Sequence, residues 1–445
     1  MNKKYILSNF VKKIFLKKDK YAVFNNLLLK PILMNKKEVD ILFRNKNNLN
    51  KIFTNNELKL LMDSGIAIGN TNIDKEAKNL LKDNSKMLFN NNISLLYIIP
   101  VGCCNLKCKY CFIGQINNNK TEVMDYNTIN NAINKFYNHL KSNNQEGVIL
   151  FYGGEPTLDL NILNYAVNLV NSFNDKNIQL SIITNATLIN EDMINLFKKN
   201  NILIGISIDG PKDLTDKYRI FKNKDESVYE TVISKIKLLK ENNINFGLSV
   251  TISDDSLKNK EFLQWLASLN VKNINFNLMH YTKKNDEWLK YYKNVSKFLF
   301  KAYDYLNKYN IKEDRLLRKM QSFFNRDFKY NDCGAIGGQQ LTIKPNGDIT
   351  ICHACWNSCN DICGNINQNS FEDVFNTEIY KKWKNNLTIN KSKCLKCPAI
   401  SICGGGCPIQ SKILFDNEKG IDKAFCIHTK FTLKELLKRH FELDK

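Results

Sequence analysis

The sequence lacks any long apolar run, because every hydrophobic stretch falls short of the roughly 20 consecutive apolar residues that a membrane-spanning helix needs. It also shows no secretory signal, since lysines interrupt the apolar residues of the opening MNKKYILSNFVKKIF. The first 90 residues contain no cysteine, although the chain of 445 residues has 14. We therefore expect a cytoplasmic protein with no membrane partner, in which clustered thiols indicate metal or redox chemistry rather than disulfides.

The charge is strongly positive, with a formal net charge of +21. Such an excess can indicate an acidic partner, either nucleic acid or an acidic peptide. The lysines are scattered rather than gathered in one run, and no RNA-binding signature accompanies them. Charge spread over solvated faces of a Lys- and Asn-rich chain explains the excess better, so we do not expect a nucleic-acid partner. The length allows two or three globular domains.

Three cysteines in a C-x3-C-x2-C spacing, Cys104, Cys108 and Cys111, follow the apolar run 93–101. This run predicts a buried strand, which places the cysteines on the loop after it. Structural zinc sites use four protein ligands, whereas three thiolates can hold three irons of a [4Fe–4S] cube and leave the fourth iron open for an exchangeable ligand. A chance zinc or redox triplet is the alternative.

Strand and helix patterns alternate from about residue 93 onward. The predicted strands are residues 93–101, 148–152, 178–184, 203–209, 246–253 and 274–280, with helical patterns between them. Six βα repeats predict an α/β fold with a parallel sheet. Six repeats are too few for an eight-stranded barrel. Functional loops are expected at the carboxyl ends of these strands.

The second predicted strand runs into Gly153-Gly154-Glu155-Pro156, about forty residues after the triplet. With the triplet, whose last cysteine lies between Tyr110 and Phe112, this GGEP resembles the signature of the radical S-adenosylmethionine (radical SAM) superfamily. The resemblance implies a partial (β/α)6 barrel and a [4Fe–4S] cluster on the three cysteines. It also implies S-adenosylmethionine (SAM) as cofactor, contacted by Phe112, Gly153, Gly154 and Glu155.

Two further segments resemble the same family. Residues 184–188, TNATL, are similar to its TNGTL motif, and the fourth predicted strand ends in Ser207-Ile208-Asp209-Gly210-Pro211, with Arg219 downstream. In relatives, the matching serine and arginine bind the ribose and carboxylate of SAM, and a guanidinium suits a carboxylate through paired hydrogen bonds. An ion pair or a surface position is the alternative for Arg219.

A second group of cysteines follows residue 330. Cys333, Gly347 and Cys352 come first, then a C-x2-C-x5-C-x3-C run over residues 394–407, and finally Cys426. This spacing resembles the SPASM extension of radical SAM enzymes, which implies two auxiliary Fe–S clusters, expected to be [4Fe–4S]. One would be bound by Cys394, Cys397, Cys403 and Cys426, and the other by Cys333, Cys352 and Cys407. A zinc ribbon is the alternative.

The sequence departs from sulfatase-maturating relatives at this second cluster. Those relatives have a further cysteine where this chain has Gln339, and an aspartate base where it has His353. An imidazole is suited to proton removal, which makes His353 a candidate catalytic base; a hydrogen bond near the cluster is the alternative. The fourth ligand stays open: Cys355, Cys359 or Cys363 could supply it, the site could bind a substrate thiolate, or the three could be small buried hydrophobes.

Residues 1–90 predict short strands and helices, which weakly resemble the winged-helix-like module that binds leader peptides in enzymes acting on ribosomally made peptides. Such a module binds an extended peptide at a sheet edge; a purely structural extension is the alternative. We expect this domain at 1–90, the radical SAM core at 91–310 and the SPASM domain at 311–445.

The expected function is that of a radical SAM/SPASM oxidoreductase. It would cleave SAM to a 5′-deoxyadenosyl radical and oxidatively modify a precursor peptide, leaving a thioether or a carbon cross-link. An electron donor such as flavodoxin or ferredoxin is the second expected partner. The alternatives are an anaerobic sulfatase-maturating enzyme, an RNA-modifying radical SAM enzyme and a multi-cluster electron-transfer protein.

Overall fold

The computed structural model describes residues 4–111, 122–281, 286–355, 361–415 and 420–443. Phe112 and Cys359, both named above as candidates, lie outside these residues. Among the described residues, no helix combines the length and the apolar character that crossing a bilayer requires.

The N-terminal region is a small mixed domain built on the antiparallel sheet β2-β3-β4, with β1 paired to β5. Capping boxes start its first two helices, Asn35 with Glu38 and Thr54 with Glu57. Strand β4 and the long helix α3 were not predicted from the sequence. In chain order the elements are β1 (Ile6–Leu7), β2 (Val11–Lys17), β3 (Lys20–Asn25), β4 (Ile32–Asn35), α1 (Lys36–Arg44), α2 (Asn55–Asp63), β5 (Ala67–Ile68) and α3 (Thr71–Leu88).

The central region alternates strands and helices as the periodicity predicts. Each strand buries apolar side chains against the surrounding helices, which begin at polar N-caps such as Asp125 and Asp159. The elements are β6 (Leu95–Ile98), α4 (Tyr126–Ser142), β7 (Gly147–Phe151), α5 (Leu160–Ser172), β8 (Ile178–Thr184), α6 (Glu191–Lys199), β9 (Leu203–Ser207), α7 (Lys212–Tyr218), α8 (Val228–Glu241), β10 (Phe246–Ile252), α9 (Asp254–Lys258), α10 (Phe262–Ser268), β11 (Asn273–Leu278) and α11 (Glu287–Asn307).

The C-terminal region has shorter elements joined by cysteine-bearing loops. They are β12 (Lys312–Glu313), α12 (Asp314–Asn325), β13 (Gln340–Ile343), β14 (Asp348–Thr350), β15 (Ile362–Asn365), α13 (Phe371–Asn376), α14 (Glu378–Lys384), α15 (Ser392–Leu395), α16 (Pro408–Phe415) and α17 (Lys423–His440).

One ten-stranded sheet joins the central and C-terminal regions, in the order β12-β11-β10-β9-β8-β7-β6-β13-β14-β15. Strands β6 to β11 are parallel neighbours in chain order, which confirms the α/β fold with a parallel sheet. The sequence did not predict the extension of this sheet. Strand β13 pairs in parallel with β6, and β14 and β15 continue it as antiparallel strands.

The sheet extension decides where the second group of cysteines lies. Because β14 runs antiparallel to β6, Cys352 after β14 lies toward the amino end of β6, whereas the triplet follows its carboxyl end. The expectation that functional residues gather at the carboxyl strand ends therefore holds for the triplet, GGEP, TNATL and Ser207, all in the central region. Cys352 and His353 approach from the other end of β6.

The N-terminal sheet shares a hydrophobic core with the C-terminal region. Leu16, Ala22 and Phe24 pack in one cluster with Ile402 and Leu436, while the helices of the N-terminal region have a core of their own. This packing gives the N-terminal region a fixed place against the loop that follows Cys397.

Candidate functional site

The cysteine triplet lies on a loop that is hydrogen-bonded to the segment at the end of α7. Lys107 and Lys109 donate backbone hydrogen bonds to the carbonyls of Ile220 and Tyr218, at 2.7 and 2.9 Å. Within the loop, the Cys111 amide donates to the Cys108 carbonyl at 3.0 Å. The Leu106 amide donates to Cys104 Sγ at 3.3 Å. The loop is therefore shaped by main-chain bonds, and its thiols are partly exposed at the end of β6.

The thiols of Cys104 and Cys108 lie in a shared electrostatic environment. Burial raises the pKa of Cys104 to about 12, with further increases from Glu155, Cys108 and Cys111. Burial likewise raises the pKa of Cys108 to about 11, and Arg219 lowers it. Grouped thiols that resist ionisation in a metal-free protein need a cation to become thiolates, and metal coordination deprotonates them. The donor set therefore fits an iron–sulfur cluster.

Gly154 is required by the cysteine loop itself. A Cβ at this position would lie 1.9 Å from the carbonyl oxygen of Cys103, and the Glu155 amide donates to the same oxygen at 2.8 Å. Gly153 has a φ of +129°, a region that favours glycine. The two glycines thus allow β7 and the triplet loop to contact each other. From the sequence, only a role in SAM binding was predicted for them.

The Glu155 carboxylate is used inside the protein. It accepts hydrogen bonds from Thr157, from the Thr184 hydroxyl at 2.6 Å and from the Asn185 amide at 2.7 Å. Burial raises its pKa, and these donors oppose the shift. Glu155 therefore ties GGEP to TNATL through its side chain, and the contact of the GGEP backbone with SAM stays a prediction.

Asn185 links the same network to the cluster loop. Its side-chain amide donates to Asn105 Oδ1 at 2.9 Å and contacts Cys104 Sγ at 3.7 Å. The TNATL segment therefore orients the cysteine loop, a role that the motif alone did not indicate.

Arg219 forms a buried ion pair with Asp209. Its Nε and Nη2 donate to the two carboxylate oxygens at 2.9 and 3.1 Å, and the Tyr110 hydroxyl and the Thr251 amide also bind that carboxylate. Asp209 and Arg219 are 2% and 7% exposed. The structure thus places Arg219 in an ion pair, which was the alternative, and its role as a ligand of the SAM carboxylate stays a prediction.

Ser207 lies at the end of β9, level with Ser249 on β10. Ser249 accepts a hydrogen bond from Asn277 on β11 at 2.8 Å. These small polar residues lie on adjacent strands, where a polar ligand can be bound. The structure is therefore compatible with Ser207 as a ribose ligand, and this role stays a prediction.

The C-terminal cysteines separate into two groups. The pKa of Cys426 is raised to about 12 by burial and then by Cys403, Cys397 and Cys394. A second group contains the other three predicted ligands. The pKa of Cys352 is raised by burial and then by Cys333 and Cys407.

These groups are the two interleaved sets that the spacing implied. The structure brings the members of each set together, and their role as cluster ligands stays a prediction. Among the described residues, no three His, Cys, Asp or Glu side chains have the arrangement of a single-metal site. A cluster spreads its thiolates over several irons instead.

The fourth ligand of the set around Cys352 is not settled by proximity. Cys363 lies beside Asp361 and Thr377 rather than in this set, and Gln339 accepts a hydrogen bond from Asn331. Cys355 is buried one turn after Cys352, whose carbonyl accepts from its amide at 2.9 Å. Its sulfur forms a disulfide bond in this structure, so Cys355 could serve as the fourth ligand only after reduction.

His353 lies in an aromatic group with Tyr97 on β6 and Tyr152 after β7. The imidazole stacks on Tyr97 with ring centroids 4.7 Å apart and meets the Tyr152 ring edge-on at 4.8 Å. Burial, with His280 nearby, lowers the pKa of His353 to about 4, and its buried Nδ1 has no hydrogen-bond partner.

Tyr152 connects this group to both cysteine regions. Burial raises its pKa to about 12, with contributions from Cys111 and Cys352. The aromatic group therefore lies between the triplet and the Cys352 set, and neither tyrosine was predicted from the sequence.

Comparison with known families agrees with this geometry. A family model of the radical SAM superfamily matches residues 98–266, and one of the SPASM iron-sulfur cluster-binding domain matches residues 333–398. A protein of Methanocaldococcus jannaschii is 34% identical over 251 residues, which are 56% of this chain and 81% of that protein. The chain belongs to the radical SAM superfamily. It carries a SPASM domain, and the fold predicted from the cysteine and glycine motifs is confirmed.

Two curated relatives of this radical SAM enzyme have assigned activities. The cysteine-type anaerobic sulfatase-maturating enzyme of Clostridium novyi is 26% identical over 75% of this chain and 92% of its own length. The radical SAM cyclopropyl synthase TigE of Paramaledivibacter caminithermalis is also 26% identical, over 78% of this chain and 74% of its own.

Two solved structures share the fold. The sulfatase-maturating enzyme anSMEcpe, with bound AdoMet and Cp18Cys peptide, has a TM-score of 0.64 at 20% identity and covers 78% of this chain and 99% of its own. Streptococcus suis SuiB, bound to precursor peptide SuiA, has a TM-score of 0.56 at 16% identity, and the match covers 95% of this chain and 99% of the SuiB chain. The fold of this radical SAM/SPASM enzyme therefore occurs with SAM and with peptides bound.

Proposed function

We propose that this radical SAM/SPASM enzyme oxidatively modifies a ribosomally made peptide, forming a thioether or a carbon cross-link. The observation that carries the proposal is the N-terminal domain. Its sheet packs against the auxiliary cysteine region in a shared core, and its strands β2 and β4 form the two edges of that sheet. A sheet edge can bind an extended leader peptide as an added strand.

The extent of the structural similarity supports this reading. The match to SuiB leaves 5% of this chain uncovered, or about 22 residues, which is far fewer than the 90 of the N-terminal domain. The match to anSMEcpe leaves 22%, or about 98 residues. A fold that includes the N-terminal domain therefore favours a precursor-peptide substrate over a sulfatase.

The residues present fit the cofactors that the family uses. Cys104, Cys108 and Cys111 would hold the cluster that activates SAM, with Ser207 and the GGEP backbone beside it. When bound, the cluster and SAM together would supply a 5′-deoxyadenosyl radical that abstracts hydrogen from an unactivated carbon. The protein positions the reacting groups: Glu155 and Asn185 fix the cysteine loop, and the Asp209–Arg219 pair fixes the strand end behind it.

His353 is the proposed base at the substrate. Its unpartnered Nδ1 is buried in the aromatic group, where Tyr97 and Tyr152 hold the ring. Because burial lowers its pKa to about 4, the imidazole is neutral at pH 7 and has a free position to accept a proton from the substrate residue as it is oxidised. The two C-terminal cysteine sets would hold the auxiliary clusters that take up the remaining electron. A flavodoxin or ferredoxin of the cytoplasm would supply the electron that starts the reaction.

A sulfatase-maturating activity is the second candidate, favoured by the similarity to the Clostridium novyi enzyme over 92% of that protein's length. His353 at the position of the relatives' aspartate and the N-terminal domain argue against it. An electron carrier is a weaker candidate, because it needs no SAM-binding segment.

The test is to reconstitute the enzyme anaerobically and to analyse its products by mass spectrometry. SAM should be cleaved to 5′-deoxyadenosine, and Cys104→Ala should abolish this cleavage while Cys363→Ala retains it. A precursor peptide encoded beside the gene should lose hydrogen in a new cross-link. Exchange of sulfur for oxygen in a sulfatase peptide would support the second candidate instead. Cleavage that persists in Cys104→Ala would refute both.

A further inference from the structure

Lys319 on α12 is a fully buried cation, with 0% of its surface exposed. Its Nζ donates to the backbone carbonyls of Ile402 and Cys403, both at 3.3 Å. The same Nζ lies 3.7 Å from an Asp332 carboxylate oxygen and 4.5 Å from the centroid of the Phe425 ring. A buried ammonium is costly to desolvate, and carbonyls, a ring face and one carboxylate compensate for this cost.

These contacts place Lys319 between the two auxiliary sets. Asp332 directly precedes Cys333 of one set, whereas Phe425 directly precedes Cys426 of the other. Cys403, whose carbonyl accepts from Lys319, belongs to the second set. One side chain therefore touches the segments that carry predicted ligands of both clusters.

Two further basic residues lie around Asp332, and one of them, Arg318, is paired with Asp314 at 2.9 Å. Lys329 Nζ lies 3.9 Å from the same Asp332 oxygen, and Arg318 Nη1 donates to the Asp332 carbonyl at 3.2 Å. A single carboxylate thus faces two ammonium groups in a place largely shielded from water.

We propose that Lys319 sets the reduction potentials of both auxiliary clusters. A cluster on thiolates is anionic and becomes more so on reduction, so a fixed buried cation favours its reduced form. Lys319 acts from outside the ligand set, as a positioning and electrostatic residue. The inference rests on the proposed assignment of the two cysteine sets to clusters.

Lys319 could instead serve only as a hydrogen-bond donor that shapes the loop at Ile402 and Cys403. A structural donor and a charge make different predictions. Lys319→Gln removes the charge and keeps donors, Lys319→Arg keeps both, and Asp332→Asn leaves the cation without its carboxylate. A charge effect requires opposite potential shifts for Lys319→Gln and Asp332→Asn.

The test is a redox titration followed by electron paramagnetic resonance on the reconstituted full-length enzyme, with iron and sulfide counted. At a fixed potential, Lys319→Gln should lower the reduced-to-oxidised ratio of both auxiliary clusters at least tenfold, which is about 59 mV for one electron. Asp332→Asn should raise the ratio, Lys319→Arg should leave it near wild type, and the triplet cluster should not change. Lys329 contacts Asp332 but neither Cys403 nor Phe425. Lys329→Gln should therefore shift the potentials by less than half as much as Lys319→Gln.

Unchanged potentials in Lys319→Gln with full iron content overturn the proposal. If Lys319→Gln loses auxiliary iron, the result for Asp332→Asn decides. A raised reduced-to-oxidised ratio of the auxiliary clusters in Asp332→Asn supports the charge effect, and any other result overturns the proposal. A wild-type enzyme with iron for the triplet cluster alone overturns both the proposal and the cluster assignment. SAM cleavage by that enzyme would separate this outcome from failure of the radical SAM chemistry.

Discussion

The side-chain amide of Asn26 donates to the backbone carbonyl of Cys397 at 2.6 Å, across 371 residues of sequence. The same Nδ2 donates to the Leu395 carbonyl at 3.1 Å, and the Ser401 hydroxyl donates to the Asn26 carbonyl. Asn26 is fully buried. The N-terminal domain is therefore hydrogen-bonded directly to the loop that carries predicted cluster ligands.

We expect Asn26→Ala to destabilise this contact, because it leaves two partly buried carbonyls without their donor. The cost of such unsatisfied groups is about 1–3 kcal/mol. Denaturant unfolding should show this loss, and the iron content after reconstitution should fall. Asn45→Ala, which removes an exposed bond to the Ile41 carbonyl, is the control and should change stability by less than about 0.5 kcal/mol. Equal stability and iron content of the two variants would contradict the contact's importance.

Gly154→Ala should disrupt the cysteine loop. The new Cβ would lie 1.9 Å from the Cys103 carbonyl oxygen, which is main chain and cannot move without the loop. Overpacking of this kind costs about 1–3 kcal/mol or more. We expect loss of the triplet cluster and of SAM cleavage, measured by absorbance and 5′-deoxyadenosine release. Gly69→Ala has no atom within 4 Å of its Cβ and should behave as wild type. Normal cleavage by Gly154→Ala would refute the close approach.

Asp209→Asn should be strongly destabilising, because it leaves the buried Arg219 guanidinium without its carboxylate. Breaking a buried pair costs about 3–5 kcal/mol. Glu230→Gln, which breaks the exposed pair with Lys212, is the control and should leave stability close to that of wild type. Calorimetry checks both. A ligand role predicts a different result for Arg219→Lys, namely weaker SAM binding with unchanged stability.

His353→Phe should separate SAM cleavage from product formation. The phenyl ring can keep the stack on Tyr97 and loses both ring nitrogens. Removing a general base slows turnover by about 10²–10⁴-fold. We expect 5′-deoxyadenosine to form while the modified peptide falls by at least about a hundredfold, measured by mass spectrometry. Wild-type amounts of product would exclude His353 as the base.

The motifs predicted the central fold because each one lies where a parallel strand meets its loop. GGEP after β7 and TNATL after β8 are local signals, and the alternating strands were found within a few residues. The contacts of these motifs could not be predicted: that the Glu155 carboxylate binds Thr184, or that Arg219 pairs with Asp209, depends on which strands become neighbours.

Long-range contacts explain the other features that the sequence did not predict. Strand β4 is short, and the pairing of β13 with β6 joins residues more than 200 apart, so neither has a local pattern. Tyr97 and Tyr152 look like ordinary strand residues until His353 reaches them from the opposite end of β6. Lys319 likewise has no motif, since its role depends on two cysteine loops that meet around α12.

Glu313 should make stability depend on pH. This fully buried carboxyl accepts from the amides of Arg315 and Leu316 at the start of α12, and burial raises its pKa to about 7 from 4.5, against those two donors. Below pH 4.5 the group is protonated in both the folded and unfolded states. Between about 4.5 and 7 only the folded state keeps the proton, so stability falls as pH rises, by up to about 3 kcal/mol.

Glu313→Gln isolates this effect, because an amide keeps the size and one acceptor but does not titrate. The free energy of unfolding should be measured for both proteins from pH 4 to pH 8. The difference between them isolates Glu313, because all other groups titrate alike in the two proteins. The variant should gain stability relative to wild type as pH rises through the window from 4.5 to about 7, and the difference should level off above it. A difference that stays constant with pH would show that the pKa of Glu313 is the same in the folded and unfolded states, and a variant that loses stability relative to wild type as pH rises would show that folding lowers this pKa.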